Sequence, residues 1–382
     1  MAKKAKSEVI ARGKRIRQIR KERLKKELEE LNEVSKSSKK SKIFNIVFIL
    51  VVTIGILAYM IIAEGLDNII NILKNADYKW MLVGLAIVLI EWTLETIIMH
   101  IPLKKIKKDL KFWVSFRVNL IGKLFNNLTP FSTGGQPFQA YSLSKYGLRA
   151  SDTISILMTK FIVYELNLFT WIIILLATNF SFFNQIFGNY IILVVLGCCV
   201  NFAAMSFILF SGINKNFIIK VVKGIIKLIS KIRIRGRSII KDIDSLNAKA
   251  EESISNYNEQ FREMKNQKGT LIKMYIVGML QVFMFLSIPF AIYKAFENTG
   301  TSFIQVVTVE AYLLVMMSFI PTPGCGLGAE GGFALFFNTI FTNGLYLGIL
   351  FWRIFTFYLP IVVGPFAFMS IHRKKIDEEE IE

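Results

Sequence analysis

Histidine and cysteine are scarce in this sequence, with two histidines and three cysteines in 382 residues. Cys198 and Cys199 are neighbours inside one apolar block and Cys325 sits in a glycine-rich turn, so no disulfide framework or metal spacing emerges. They read as small apolar fillers. His100 and His372 fall at the ends of apolar blocks, and no metal or other cofactor is expected. A nucleophile elbow, a P-loop, an HExxH pair and a dinucleotide fingerprint are all missing. Strand-type alternation is missing too, which argues against a β-barrel and leaves helices as the spanning structure. No small-residue cleavage site follows the first apolar block, so the start does not read as a cleaved signal peptide.

What is abundant is apolar: 53% of residues are hydrophobic, 33 of them phenylalanine, and the mean hydropathy is +0.47. These residues gather into blocks at 43–63, 79–99, 152–178, 190–211, 271–293 and 344–370. Roughly 20 apolar residues at a rise of about 1.5 Å cross a hydrocarbon core of about 30 Å. The expected fold is an all-α polytopic membrane protein with about six to eight transmembrane helices.

The net charge is +19, and the basic residues lie between the blocks, in residues 1–42, 104–111 and 215–273, with Arg373, Lys374 and Lys375 after the last. This is the positive-inside pattern, with anionic phospholipids rather than nucleic acid as the partner. It divides the chain into a basic cytoplasmic head (1–42), a first membrane repeat (43–211), a basic interfacial segment (212–270), a second membrane repeat (271–372) and a charged tail (373–382). Both termini are expected on the cytoplasmic side of the cell membrane. Parity then requires residues 112–141 and 302–343 to enter and leave on one face each, from opposite sides. Both stretches are interrupted, by Pro130 and Gly134–Gly135 and by Pro321, Pro323 and Gly324. Two re-entrant or broken segments of opposite entry point to inverted repeats.

Irregular backbone is tolerated in a membrane only where it is buried or faces a wet cavity. Proline frees a carbonyl, glycine permits close approach, and half-helix N-termini attract anions. Asn127, Thr129, Thr133, Gly134, Gly135 and Gln136 in the first break, and Thr322, Gly324 and Gly326 in the second, are therefore expected to line a site for a lipid head group. Ionisable residues inside apolar stretches are costly in lipid and so are functional candidates. They are Glu91, Glu95, Arg117, Lys123, Lys160, Glu165, Glu310, Glu330 and Arg353. Glu91 and Glu95 share a helical face and Lys160 and Glu165 share a helix, so these suggest local pairing. Glu310, Glu330 and Arg353 are assigned to the charge of the site.

The stretches Asn127-Leu128-Thr129-Pro130 followed by Gly134-Gly135, and Pro321-Thr322-Pro323-Gly324 followed by Gly326-Leu327-Gly328 and Glu330-Gly331, resemble one family. It is the flippase-like transmembrane region of lysylphosphatidylglycerol synthases, and the resemblance covers residues 43–372. It implies a membrane-embedded translocase that takes a polar lipid, such as aminoacylated phosphatidylglycerol, between leaflets. In full-length synthases a soluble domain follows and transfers lysine from lysyl-tRNA to phosphatidylglycerol. This sequence ends at Glu382, a few residues past its last apolar block, so the lipid-handling half is the expectation. Phosphatidylglycerol lysyl transfer, or service as the membrane partner of a separate lipid-modifying enzyme, are the alternatives.

The charge pattern predicts labelling. Cysteines placed near Asn184 and Glu297 should react with an impermeant maleimide added to intact cells, and ones near Lys107, Lys145 and Lys265 should not. Outside labelling at Lys145 would overturn the re-entrant assignment of residues 112–141.

Overall fold

In the computed structural model, the described residues are 65–379 apart from 130–131, 231–232, 235–236, 239–242, 319, 321 and 327. The basic head, the apolar block at 43–63, Pro130, Pro321 and the end of the tail lie outside them.

The chain is helical, apart from one two-residue antiparallel pairing of Arg233–Ile234 with Arg237–Ser238 among the described residues. After a short helix α1 (Leu66–Asn75), the long helix α2 (Tyr78–Ile106) starts at Asp77, whose carboxylate accepts the Lys79 N–H at 3.0 Å. The first interrupted segment follows as α3 (Phe112–Leu128) and α4 (Gly135–Ser144). Next come α5 (Ala150–Thr178), α6 (Phe180–Phe187) and α7 (Ile191–Ile213), the last two joined by a 3-10 turn. Outside the apolar blocks stand α8 (Lys215–Ser230) and α9 (Ile243–Asn266), with α9 seated on α5 and α7 through Tyr257 and Phe261 against Ile162 and Met205. Helices α10 (Lys268–Leu286) and α11 (Ile288–Ala295) form one bent span, the bend falling where Pro289 opens α11. The second interrupted segment is α12 (Phe303–Met317) and α13 (Gly328–Phe337). Helix α14 (Leu345–Arg353) then passes through a π-helical stretch (Ile354–Tyr358) into α15 (Leu359–Glu379).

Among the described residues, five helical stretches are long and apolar enough to cross a membrane: Tyr78–Ile106, Ala150–Thr178, Phe180–Ile213, Lys268–Ala295 and Leu345–Ile371. They coincide with five of the six apolar blocks in the sequence. The chain is an all-α polytopic membrane protein.

Local chemistry ends α3 where the sequence breaks it. Thr129 is extended (φ −119°, ψ 146°), the conformation forced on a residue that precedes proline. Both breaks also hold a non-glycine residue at positive φ, Ser132 at 52° in the first and Cys325 at 53° in the second, beside Gly324 at 60°. Such backbone costs energy and persists only where its surroundings fix it.

Hydrogen bonds close the mouth of each interrupted segment. The Lys107 ammonium donates to the Tyr146 carbonyl at 2.9 Å, tying the chain just before α3 to the chain just after α4. At the other segment, Asn298 before α12 accepts from the Thr342 and Asn343 N–H groups at 2.9 Å and donates to the Asn343 carbonyl at 3.0 Å. Helices α2 and α10–α11 run antiparallel. Asp77 donates its N–H to Ala295 at 2.8 Å at one end, and Lys105 meets Gln267 and Thr270 at the other. The two mouths therefore lie at opposite ends of this helix pair.

Asn298 is 1% exposed. Asn298→Ala leaves two backbone N–H groups without an acceptor, each costing about 1–3 kcal/mol. Thermal unfolding in detergent should show a clear loss of stability, whereas Asn298→Asp, which keeps the acceptor oxygen, should recover part of it.

Candidate functional site

A cavity of about 790 Å³ lies among α2, α3, α4, α5, α7, α10, α12, α14, the π-helical stretch and the start of α15. Residues of both breaks line it: Asn126, Asn127, Ser132, Thr133 and Gln136 from the first, Ser318, Gly324 and Cys325 from the second. Apolar residues such as Leu157, Leu168 and Phe285 alternate there with the charged groups Glu95, Lys123, Lys160, Glu165 and Arg353.

Four of the buried charges form one network. Lys123 on α3 bridges Glu91 and Glu95 on α2, at 3.0 and 2.6 Å. Lys160 on α5 reaches Glu95 at 2.7 Å and the Asn119 amide oxygen at 3.0 Å. Asn119 in turn donates to Glu95 at 3.2 Å, and Gln281 on α10 donates to Glu91. Two carboxylates and two ammonium groups give a net charge of zero, which is how such groups are tolerated away from water. Lys160 does not pair with Glu165, as their shared helix suggested. Five residues apart on a 3.6-residue helix, the two side chains point in directions roughly 140° apart. Lys160 is thereby turned to α2, and Glu165 has no cation of its own.

The second charge group surrounds Arg353 at the end of α14. Its Nε donates to Glu330 at 2.7 Å and its Nη1 to the Gly324 carbonyl at 3.1 Å, and the guanidinium lies over the Trp352 and Phe357 rings. Nη2 of Arg353 and Oε2 of Glu330 are buried with no hydrogen-bond partner. Glu310, fully buried, accepts from the Trp352 indole N–H at 3.1 Å instead of pairing with Arg353.

Of the residues expected from sequence to form the site, Asn127, Thr133, Gln136, Gly324 and Arg353 line the cavity. Thr129, Gly134, Gly135, Thr322, Gly326, Glu310 and Glu330 are not among its lining residues. The first break differs from expectation in its chemistry. The Gly134 N–H donates to the Thr129 hydroxyl and the Gly135 N–H to the Asn126 side chain, both at 2.8 Å, so neither is open to an anion. A Cβ at either glycine would run into those same side chains, so they are glycine because the break folds onto itself. In the second break the Thr322 hydroxyl donates to the Gly326 carbonyl at 2.8 Å, and a Cβ at Gly324 would strike Phe357. Asn127 donates to the Phe357 carbonyl at 3.0 Å and so joins the first break to the π-helical stretch.

Sequence reasoning missed Asn119 and Gln281, amides in apolar helices, because only the fold reveals which charge each meets.

The family profile described as the lysylphosphatidylglycerol synthase TM region matches residues 46–364. A UPF0104 membrane protein of Methanothermobacter thermautotrophicus is 25% identical over 307 residues, 76% of this chain and 83% of that protein. A UPF0104 membrane protein of Methanocaldococcus jannaschii is 25% identical over 356 residues, 86% of this chain and 94% of that one.

The network predicts a strong dependence on Lys123. Lys123→Met strands Glu91 and leaves Glu95 with Lys160 alone, and removing one partner of a buried pair costs about 3–5 kcal/mol. The apparent Tm in detergent should fall sharply, and adding Glu91→Gln should restore part of it.

Proposed function

The chain belongs to the lysylphosphatidylglycerol synthase transmembrane-region family, and from that membership and its charged cavity we propose that it is a lipid translocase. The cavity takes a polar lipid head group and passes the lipid between leaflets. The observation that carries this reading is the meeting of two broken helical segments at one cavity holding both apolar walls and buried charge. A head-group phosphate finds a cation in Arg353, which lines the cavity and whose Nη2 has no partner within the protein. The apolar wall suits the glycerol and the start of the acyl chains. Phosphatidylglycerol and its aminoacylated forms are the lipids to which the family name directs the test.

The same reading gives the basic segment a place. In α8, Lys215 bonds to Ser255 and Lys223 pairs with Glu251, while Lys220 and Lys227 stay exposed beside exposed Ile225 and Leu228. That face suits an anionic leaflet on the cytoplasmic side of the cell membrane, at about 1 kcal/mol per basic residue near the surface. Entry of the two broken segments from opposite ends is consistent with two inverted repeats.

Full-length protein in proteoliposomes, with fluorescent phosphatidylglycerol and dithionite quenching, tests the proposal. Wild type should expose inner-leaflet lipid to the quencher faster than protein-free vesicles. Ala204 lines the cavity from α7 and its neighbour Ala203 does not, though both are exposed. Ala204→Trp should therefore slow exchange, and Ala203→Trp should leave it unchanged. Equal rates for wild type, Ala204→Trp and empty vesicles would remove the translocase reading. Lysyl transfer from lysyl-tRNA by the same preparation would favour the enzymatic alternative.

A further inference from the structure

Every other carboxylate at the cavity or beside it has a donor. Glu95 has two ammonium groups, Glu91 has Lys123 and Gln281, Glu330 has Arg353, and Glu310 has the Trp352 indole. Glu165 is the exception among the described residues. It lies midway along the 29-residue α5, is 3% exposed and lines the cavity, and its Oε2 is fully buried without a hydrogen-bond partner. A carboxylate left alone in such surroundings costs several kcal/mol, a cost that a proton removes. The ammonium groups that line the cavity are already committed: Lys160 to Glu95 and Asn119, Lys123 to Glu91 and Glu95.

We infer that Glu165 is the proton-binding group of the cavity and that the proton it carries accompanies lipid exchange. The coupling rests on the translocase reading, whereas the proton site stands on the geometry alone. The carboxylate takes a proton from water in the cavity, carries it as the neutral acid through the occluded state, and returns it to water when the cavity is reached from the other face. No bond but the O–H is made or broken.

No neighbouring helix supplies another group for this task. Facing the cavity with Glu165 are Glu95 (α2), Lys123 (α3), Lys160 and Tyr164 (α5), Cys325 in the second break and Arg353 (α14). From α4, α7, α10 and α12 only uncharged residues line it, including Gln136, Gln139, Asn201 and Gln281. Elsewhere on the helices packed against α5, Tyr275 (α10) is bonded to Thr170 and Lys273 is exposed, Tyr141 (α4) lies under Lys145, and Cys198 and Cys199 are thiols of α7. Helix α9 brings Tyr257 against Ile162, and Glu259 and Glu263 stand near Arg149 at the start of α5. Glu310 (α12) accepts from Trp352, and although its Oε2 is also unpartnered it does not line the cavity.

Two measurements test the inference. Infrared difference spectra of the purified chain between acid and alkaline pH should contain a protonated-carboxyl band that is lost in Glu165→Gln and kept, shifted, in Glu165→Asp. A wild-type spectrum that Glu165→Gln does not change would overturn the proton site without any lipid assay. In proteoliposomes carrying a lumenal pH dye, an imposed pH gradient should shift the steady-state lipid distribution of wild type about tenfold per pH unit if one proton moves per lipid. Whatever its rate of exchange, Glu165→Gln should lose the response to the gradient, and Glu165→Asp should restore it. Gradient-independent exchange by wild type, or a gradient response that survives in Glu165→Gln, overturns the coupling. Complete absence of exchange in wild type defeats the translocase reading and the coupling with it, and leaves the proton site to the infrared result.

Discussion

The ion network of Glu91, Glu95, Lys123 and Lys160 is the constraint on which the rest depends. Its members come from three helices, α2, α3 and α5, and each would be an uncompensated charge in an apolar environment if a partner withdrew. Such a set tolerates burial because its charges cancel and its remaining hydrogen-bonding capacity is met, here by Asn119 and Gln281. The cost of breaking one link, about 3–5 kcal/mol, exceeds the roughly 1 kcal/mol of an ordinary neutral hydrogen bond. One wall of the cavity is therefore fixed in position. The first broken segment hangs from that wall, since Lys123 lies on α3 five residues before its C-terminal residue.

The two breaks solve the same problem with different chemistry. Backbone that leaves a helix inside a membrane must find partners within the protein. In the first break, amide and hydroxyl side chains do this: Asn126 and Thr129 take the N–H groups of Gly135 and Gly134. The result is neutral and closed. In the second, a cation does it, with Arg353 donating to the Gly324 carbonyl and to Glu330. An arginine has five donors, and one of its nitrogens remains unpartnered. The asymmetry leaves the unpartnered cationic donor in the second break, although the prolines and glycines of the two look alike in sequence.

Much of the fold was legible because hydropathy is a one-dimensional signal. An apolar block long enough to span is visible without knowing its neighbours, and five such blocks reappear as helices, three of them within a few residues of the expected ends. Tyr78–Ile106 runs seven residues further and Phe180–Ile213 starts ten residues earlier. The breaks were legible as well, since proline dictates the extended Thr129 before it and glycine the positive φ at Gly324. Partner choice was not. Lys160 and Glu165 are close in sequence yet turn apart around the helix, and Glu310 and Arg353, each alone in its stretch, have Trp352 and Glu330 as partners. Those assignments depend on which helix faces which, and a single sequence does not specify it. For the same reason the glycines of the first break looked like a ligand cradle, when their neighbours are Asn126 and Thr129.

The distribution of strong and weak contacts also says where the molecule can yield. The ion network resists separation, and the Lys107–Tyr146 and Asn298–Asn343 contacts close the two segments at their mouths. The Asn127 amide on the Phe357 carbonyl, a single neutral hydrogen bond, joins the first break to the π-helical stretch, beside the apolar packing of Phe125 and Phe138 on Phe368 of α15. Its loss costs about 1 kcal/mol because both groups border a cavity able to hydrate them. A π-helical turn already departs from the regular ladder, so a change of register there disturbs little else. Arg353 lies immediately before that stretch and carries the Gly324 and Glu330 contacts with it. A change of register in the π-helical turn would therefore alter the cavity lining at Phe357 by sliding apolar contacts, without separating the Glu91, Glu95, Lys123 and Lys160 network.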